Sequence, residues 1–92
     1  MIEVIGPPPD QVVPNDATDR LIAAGGFTQV HPPGAASAGG LHAVVKFTAG
    51  THGSLLDPTA SPAATQEMQT EAVAFALTGG TSLPVSPTAP VQ

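Results

Sequence analysis

The chain contains no cysteine, tryptophan or tyrosine, and only three phenylalanines among its 92 residues. The absence of cysteine excludes disulfide bonds and thiolate metal sites. Each aromatic side chain buries about 150–250 Å², so their scarcity leaves little material for a core. Because ordering the backbone costs roughly 1–2 kcal/mol per residue, we expect one small domain that depends on a larger fold or on a partner.

Basic residues are also scarce: Lys46 and Arg20 stand against seven acids, and the formal net charge is −5. Phosphate binding needs a basic face, so this balance argues against nucleic acid as a partner. No apolar run is long enough to span a bilayer. The first residues, MIEVIGPPPD, lack the positive charge and apolar length of a signal peptide, and the sequence leaves the compartment open.

Two short apolar runs predict the strands of a parallel sheet. Residues 1–6, MIEVIG, end at a Gly-Pro-Pro-Pro sequence, and residues 41–49, LHAVVKFTA, carry β-branched and aromatic side chains. A brief extended piece is expected near residues 27–30. Two strands alone do not form a stable sheet, and both would have open edges. We therefore expect part of a larger α/β fold that forms a homo-oligomer or binds a complementing chain.

A first helix is predicted over residues 16–24, DATDRLIAA, with Asn15 or Asp16 as its N-cap and two glycines at its end. The last segment, residues 81–92, is rich in Ser, Thr and Pro, and we predict that it is disordered. The predicted domain therefore spans residues 1–80.

A second and clearer helix is predicted over residues 62–78, PAATQEMQTEAVAFALT. Ser61 is a favourable N-cap, proline suits the first helical position, and two glycines follow the helix. Spacing at i, i+4, i+8 and i+11 predicts one apolar face. That face consists of Ala64, Met68, Ala72 and Phe75.

Each predicted strand is followed by a loop that carries a titratable side chain. GPPPDQVVPN carries Asp10, and AGTHGSLL carries His52 at its tip. Parallel strands bring such loops to one sheet edge, where open α/β sheets place their sites. An acid that orients a histidine, which then acts as a general base, is two thirds of a nucleophile–His–acid triad. The order acid then histidine matches that of α/β-hydrolases, and Asp16 and Asp19 are the fallback acids.

The segment VVKFTAGTHGSLLDPTASPAATQEMQTEAVAFALTGG resembles the C-terminal end of bacterial extracellular lipases of the virulence-factor lipase family, which are α/β-hydrolases. DQVVPN resembles the family's acid loop. The resemblance covers about residues 1–80 and implies a partial α/β-hydrolase fold: the last two parallel strands, a crossover helix and a C-terminal helix. It also implies His52 as catalytic base, Asp10 as triad acid, an acylglycerol or short-chain ester as substrate, no cofactor, and an extracellular or cell-envelope location for the parent family.

The nucleophile elbow of that family, G-x-S-x-G, is absent from the sequence. Ser37 lies in an A-x-S-x-G pattern, but prolines precede it and a predicted strand, not a helix, follows. Ser54 lies two residues from His52, where a loop-stabilising hydroxyl is the simpler interpretation. Asp57 precedes a proline and is typical of a turn. The spacing of the three histidines matches no metal-ligand pattern; they are His31, His42 and His52.

Three functions stay open at this point. The chain is a lipase or esterase segment that supplies the histidine and acid of a triad. Alternatively, it is a miniature esterase that uses Ser37 or Ser54, with its site completed across a self-associated interface. The third alternative is a non-catalytic binding or assembly module.

Overall fold

The structure is a computed structural model that describes residues 1–36 and 42–92. Its elements are β1 (Ile2–Val4), α1 (Asn15–Gly25), β2 (Thr28–Gln29), β3 (Ala35–Ala36), β4 (Ala43–Phe47), α2 (Pro62–Leu77) and β5 (Ser82–Leu83). A parallel sheet with the strand order β1-β4-β2 forms the centre, and β3 pairs with β5 in an antiparallel ladder. The mixed α/β class and the small parallel sheet therefore agree with the expectation from sequence.

The central strand of the sheet is β4. It pairs with β1 in the register Ile2↔Val45 to Val4↔Phe47, and with β2 in the register Thr28↔Ala43. Val44, Val45 and Phe47 are fully buried. A strand that has hydrogen-bonded neighbours on both edges and protein on both faces is expected to be apolar at nearly every position. The sequence AVVKF agrees with this expectation at all positions except the lysine.

The sequence predicts two strands, and the structure adds a third to the parallel sheet. The addition is β2, which lies in the piece of chain expected to be briefly extended, and beyond it the Val30 N–H donates to the Val44 carbonyl at 2.9 Å. A strand of two residues has too little periodicity to be recognised from its composition. Its position is fixed by pairing with β4, so β4 is an interior strand.

Residues 81–92 differ most from expectation, because the predicted disordered tail packs onto the sheet. Leu83 and Val85 are buried, and the Thr48 N–H donates to the Pro90 carbonyl at 2.8 Å. The Ser/Thr/Pro composition indicated disorder. In the structure, however, the apolar side chains two positions apart are buried and the backbone of the segment forms hydrogen bonds. The segment is therefore part of the fold, which extends past residue 80.

The N-terminus of α1 lacks the predicted side-chain cap. Pro14 precedes the helix, and the Asn15 side chain instead donates to the Val4 carbonyl at 2.9 Å and to Glu3 Oε1 at 3.0 Å. No residue of α1 is buried. Polar contacts thus hold this helix to the sheet, and they include the ion pair of Lys46 with Asp19 at 2.8 Å.

The second helix begins as predicted but turns a different face to the core. The Ala64 N–H donates to Ser61 Oγ at 3.2 Å, with proline at the first helical position. Ala72 is exposed and Phe75 is 38% exposed. These two residues of the predicted apolar face therefore do not lie in the core, contrary to the prediction. A 16-residue helix is about 24 Å long, whereas the longest strand has five residues and spans about 17 Å. The helix is therefore longer than the strands of the sheet. Its buried residues are Ala64, Thr65, Glu67, Met68 and Glu71.

Two carboxyl groups lie on the buried face of α2, one turn apart. Glu67 Oε1 accepts the Ser86 N–H at 2.9 Å, which fixes the C-terminal segment to the helix. Glu71 is 1% exposed, and within the described part of the chain neither of its carboxyl oxygens has a hydrogen-bond partner. Burial, followed by the neighbouring Glu67, raises the pKa of Glu71 to about 8, and the N-terminal ammonium acts to lower it.

The first prediction concerns Phe47, which is the largest fully buried side chain. We expect Phe47→Ala to lower the free energy of unfolding by about 3–5 kcal/mol, because it leaves a cavity in a core with few large side chains. Urea unfolding followed by circular dichroism measures the change. Phe75→Ala is the matched control, since Phe75 is 38% exposed; an equal loss in both variants would contradict this assignment of the core.

The second prediction concerns the pH dependence of stability. The pKa of Glu71 is above its ordinary value of 4.5 in the folded state, so the folded chain binds more protons than the unfolded chain between these values. Its stabilising contribution is complete below pH 4.5 and is lost as the pH rises toward 8, by at most about 1.4 kcal/mol per pH unit. Urea titrations across this range should show the decline, and Glu71→Gln, which mimics the protonated acid, should flatten it. A decline of the same slope in Glu71→Gln would assign it to another group.

Candidate active site

The site forms where two neighbouring parallel strands end. β1 and β4 pair directly, with Val4 opposite Phe47 at their carboxyl ends. The Phe47 carbonyl accepts the Ile5 N–H at 2.8 Å, so the pairing continues to the point where the loops leave the sheet. The loop after β1 carries Asp10, and the loop after β4 carries His52. Adjacent strand ends therefore deliver both residues to the same sheet edge, as the sequence predicts.

The acid loop turns back on the strand that precedes it. Gly6 has φ 68°, and a Cβ at this position would lie 1.9 Å from the Pro8 carbonyl oxygen, so only glycine fits. The Asp10 N–H then donates to the Val4 carbonyl at 3.1 Å. Asp10 Oδ1 accepts the N–H groups of Val12 at 2.8 Å and Val13 at 3.0 Å. These bonds occupy one carboxylate oxygen and leave Oδ2 for another partner.

The histidine loop is a compact turn that also begins at a glycine. Gly50 has φ 110°, and a Cβ there would lie 2.9 Å from Ser54 Oγ. Ser54 Oγ accepts the Thr51 N–H at 2.7 Å, and the Ser54 N–H donates to the Thr51 carbonyl at 3.1 Å. His52 lies within this closed turn with half of its side chain exposed. The turn thus presents the imidazole at the surface on a hydrogen-bonded support.

The two loops meet in a hydrogen bond between His52 Nδ1 and Asp10 Oδ2, at a distance of 2.9 Å. The side chain of Asp10 is 12% exposed and that of His52 is 50% exposed, so the acid is the inner member of the pair. A carboxylate that accepts from Nδ1–H leaves Nε2 of a neutral ring as the acceptor, which is the arrangement of a general base. Within residues 1–36 and 42–92, no hydroxyl is hydrogen-bonded to Nε2.

The surroundings of Asp10 favour its charged form. Burial is the largest effect and acts to raise the pKa of Asp10, but the N–H groups of Val13 and Val12 and the ring of His52 together lower it below its ordinary value. Asp10 is therefore an anion at neutral pH, as the orienting member of such a pair must be.

The other acids singled out in the sequence lie away from the histidine. Asp16 pairs with Arg20 at 3.2 Å on the exposed side of α1, and Asp19 pairs with Lys46. The Asp19 contact is the main cause that raises the pKa of Lys46. Asp57 Oδ1 accepts the Thr59 N–H at 2.9 Å, which is the turn role expected for it.

The candidate nucleophiles have different outcomes. Ser54 is fully buried and its hydroxyl serves the turn, so it is not placed to attack a substrate. Ser37 lies outside the described residues.

His31 contacts the Gln92 carbonyl at 3.2 Å, and His42 stacks on Phe27, so the three histidines are dispersed. Among the described residues, no three His, Asp or Glu side chains are grouped closely enough to hold a metal ion.

Two open cavities flank His52. The first has a volume of about 340 Å³ and lies between β1, α1 and the histidine loop. Its apolar lining includes Ile2, Val13, Leu21, Leu55 and Met68. The second has a volume of about 240 Å³ and lies between the histidine loop and the prolines of the acid loop. A molecule bound in either cavity would contact the imidazole.

Two residues that contribute to the site were not recognised from sequence. Thr65 and Gln69, one turn apart on α2, donate side-chain hydrogen bonds to carbonyls of the histidine loop. The only signal available was the i, i+4 spacing of two polar residues beside the apolar positions of a helix. Such spacing is common on exposed helix faces, so it indicates no partner until the loop is seen to pack there.

No family model matches the sequence, and the searches of curated proteins and of solved structures found no significant match. In the described part of the chain, neither helix has the length and apolar character needed to cross a membrane.

The third prediction tests the contact between His52 and Asp10. We expect Asp10→Ala to lower the fraction of neutral His52 that carries its proton on Nδ1, because the acceptor that favours this tautomer is lost. Imidazole ¹⁵N chemical shifts, recorded at a pH where the ring is neutral, report that fraction. Asp57→Ala is the control, since its carboxylate caps Thr59 in the same loop. An unchanged tautomer fraction in Asp10→Ala would show that the carboxylate does not orient the ring.

Proposed function

We propose that this chain is the histidine- and acid-bearing part of a carboxylic ester hydrolase of the lipase or esterase type. The observation that supports the proposal is the hydrogen bond between His52 Nδ1 and Asp10 Oδ2 at the ends of two adjacent parallel strands. The sequence resemblance to the C-terminal part of virulence-factor lipases is consistent with the same roles and the same chain order.

The proposed chemistry needs one proton acceptor and one orienting anion. Nε2 of His52 takes the proton of a serine hydroxyl while the serine oxygen attacks the ester carbonyl. Asp10 stabilises the imidazolium that forms, and the histidine then passes the proton to the leaving alcohol. Water repeats the sequence on the acyl-enzyme and releases the acid. No redox change or cofactor is required.

The cavity between β1, α1 and the histidine loop is the proposed acyl site; its lining combines apolar side chains with Glu3, Asp10 and Thr18. Its volume of about 340 Å³ suits a short acyl chain. His52 lies at the border between this cavity and the smaller one on the other side. An ester that lies across that border would place its acyl chain in the first cavity and its alcohol toward the second. We propose acylglycerols or short-chain esters as substrates.

The nucleophile is the part of the proposal that the described residues do not supply. A serine from another segment or chain is the first source, in agreement with a hydrolase portion that needs its complement. Ser37 in a self-associated chain is the second source and defines the miniature esterase. A non-catalytic binding module is the remaining candidate, favoured by large exposed apolar side chains. These include Val12, Leu21, Leu56, Val73 and Leu77.

The fourth prediction separates these candidates with an activated ester, p-nitrophenyl butyrate. An exposed imidazole oriented by a carboxylate attacks such esters directly, even without a serine. We expect His52→Ala to lower the rate by about 10²-fold or more, as removal of a general base does, and Asp10→Asn to lower it as well, because the anion that orients the ring is lost. His31→Ala is the matched control and should retain the rate, because His31 Nδ1 pairs with the main-chain oxygen of Gln92 and, among the described residues, not with an Asp or Glu side chain.

A fluorophosphonate probe, which labels only activated serines, completes the experiment. Labelling that is lost in Ser37→Ala and in His52→Ala would identify the miniature esterase, and sedimentation would then show whether activity follows the oligomer. Ester cleavage without labelling supports the hydrolase portion that lacks its serine. Equal rates in the wild-type chain and His52→Ala would exclude the miniature esterase, count against the hydrolase portion and favour the binding module.

A further inference from the structure

The turn that carries His52 is attached to α2 by side-chain donors. Thr65 Oγ1 donates to the Ser54 carbonyl and also lies 3.1 Å from the Asp57 carbonyl. One turn further along the helix, Gln69 Nε2 donates to the Leu55 carbonyl at 2.9 Å. Two residues of one helix face thus donate to the carbonyls of Ser54 and Leu55 in the histidine loop.

Thr65 is the buried member of this attachment. Thr65 is 5% exposed, and its partner Ser54 is fully buried. A buried carbonyl that loses its donor cannot turn to water without moving the chain that carries it. Gln69 is exposed, so water can replace its amide. Loss of the Thr65 hydroxyl therefore displaces the turn more than loss of the Gln69 amide does.

Displacement of Ser54 is transmitted to His52 because both belong to one closed turn. The Ser54 hydroxyl accepts the Thr51 N–H, and the Ser54 N–H donates back to the Thr51 carbonyl. His52 lies between these two residues. A shift of Ser54 consequently moves the backbone on which the imidazole is mounted.

The acid has a separate support. Asp10 is held by the Val4 carbonyl on β1 and by the N–H groups of Val12 and Val13 in its own loop. None of these contacts involves α2. The 2.9 Å bond between His52 and Asp10 thus joins a loop anchored on a strand to a loop anchored on a helix.

We propose that Thr65 is a positioning residue that sets the distance and orientation of His52 relative to Asp10 through the Ser54 carbonyl. The effect on the histidine–acid pair follows from the geometry alone, and the consequence for ester cleavage rests on the proposed function. The hydroxyl of Thr65 bonds to the backbone of the histidine loop, and Thr65 does not line either cavity beside His52. Its hydroxyl acts by fixing the turn, so its removal separates the pair while both members remain present.

The test compares Thr65→Val with Thr70→Val. Valine keeps the shape of threonine and replaces the hydroxyl with a methyl group. Thr70 is on the same helix, but its hydroxyl donates to the Gln66 carbonyl within the helix, so Thr70→Val controls for the loss of a helical threonine. The first readout is the fraction of neutral His52 with its proton on Nδ1, from imidazole ¹⁵N shifts. We expect a fall toward the value of Asp10→Ala in Thr65→Val, no change in Thr70→Val, and recovery in Thr65→Ser.

The second readout is the His52-dependent cleavage of p-nitrophenyl butyrate. We expect Thr65→Val to lower it about tenfold or more, because a shift of about 1 Å in a catalytic group can cost up to about 10²-fold. A chain that cleaves no ester would count against the proposed function, while the ¹⁵N shifts still decide the role of Thr65. A tautomer fraction in Thr65→Val equal to that of the wild-type chain would overturn the positioning role.

A second variant, Thr65→Ala, allows the same test if Thr65→Val does not fold. Thr65→Ala removes the hydroxyl and introduces the best helix former, so it places the least strain on α2. Dispersion of the Val44, Val45 and Phe47 resonances checks that the core is intact in each variant. If Thr65→Ala is folded and keeps the wild-type tautomer fraction, the proposal is rejected; if it loses that fraction and Thr65→Ser keeps it, the proposal is supported.

Discussion

The parallel pairing of β1 with β4 is the constraint on which the rest of this structure depends. Because the two strands are direct neighbours and point the same way, their carboxyl ends meet, and the loops that leave them lie side by side. The bond between Asp10 and His52 closes a separation of 42 residues along the chain. An antiparallel pair, or one strand inserted between them, would move the two loops beyond hydrogen-bond reach.

Different interactions stabilise the core of this chain and fix the geometry of its site. The core consists of small and medium side chains around Phe47, which bury the sheet but give α1 no buried residue. Around this core, polar contacts hold the other elements in place. Lys46 pairs with Asp19 of α1 and with Glu3, and Thr65 of α2 bonds to the histidine loop. A chain with few large apolar groups thus uses hydrogen bonds and ion pairs to hold α1 and the histidine loop in place.

Sequence reasoning succeeded where a local signal matched the tertiary outcome. Ser61 and the proline after it marked the start of α2, and the titratable residues after two apolar runs indicated the meeting of Asp10 and His52. It gave less where the outcome was set by distant pairing. An extended piece near residues 27–30 was expected, but its pairing with β4 as a third strand was not. Residues 81–92 were expected to be disordered, and they pack because Leu83 and Val85 are buried. The exposed position of Phe75 follows from the short strands, and no periodicity within α2 could reveal it.

The C-terminal segment has one further consequence for the sheet. β2 pairs with the first half of β4, while Val91 forms a bridge with Phe47 and Pro90 accepts from Thr48 at the other half. Two separate pieces of chain thus share one flank of the central strand. Edge-to-edge pairing of another chain with β4 is blocked by the molecule's own backbone, and on the outer flank of β1 the Val4 carbonyl is already occupied by the Asp10 N–H and the Asn15 side chain.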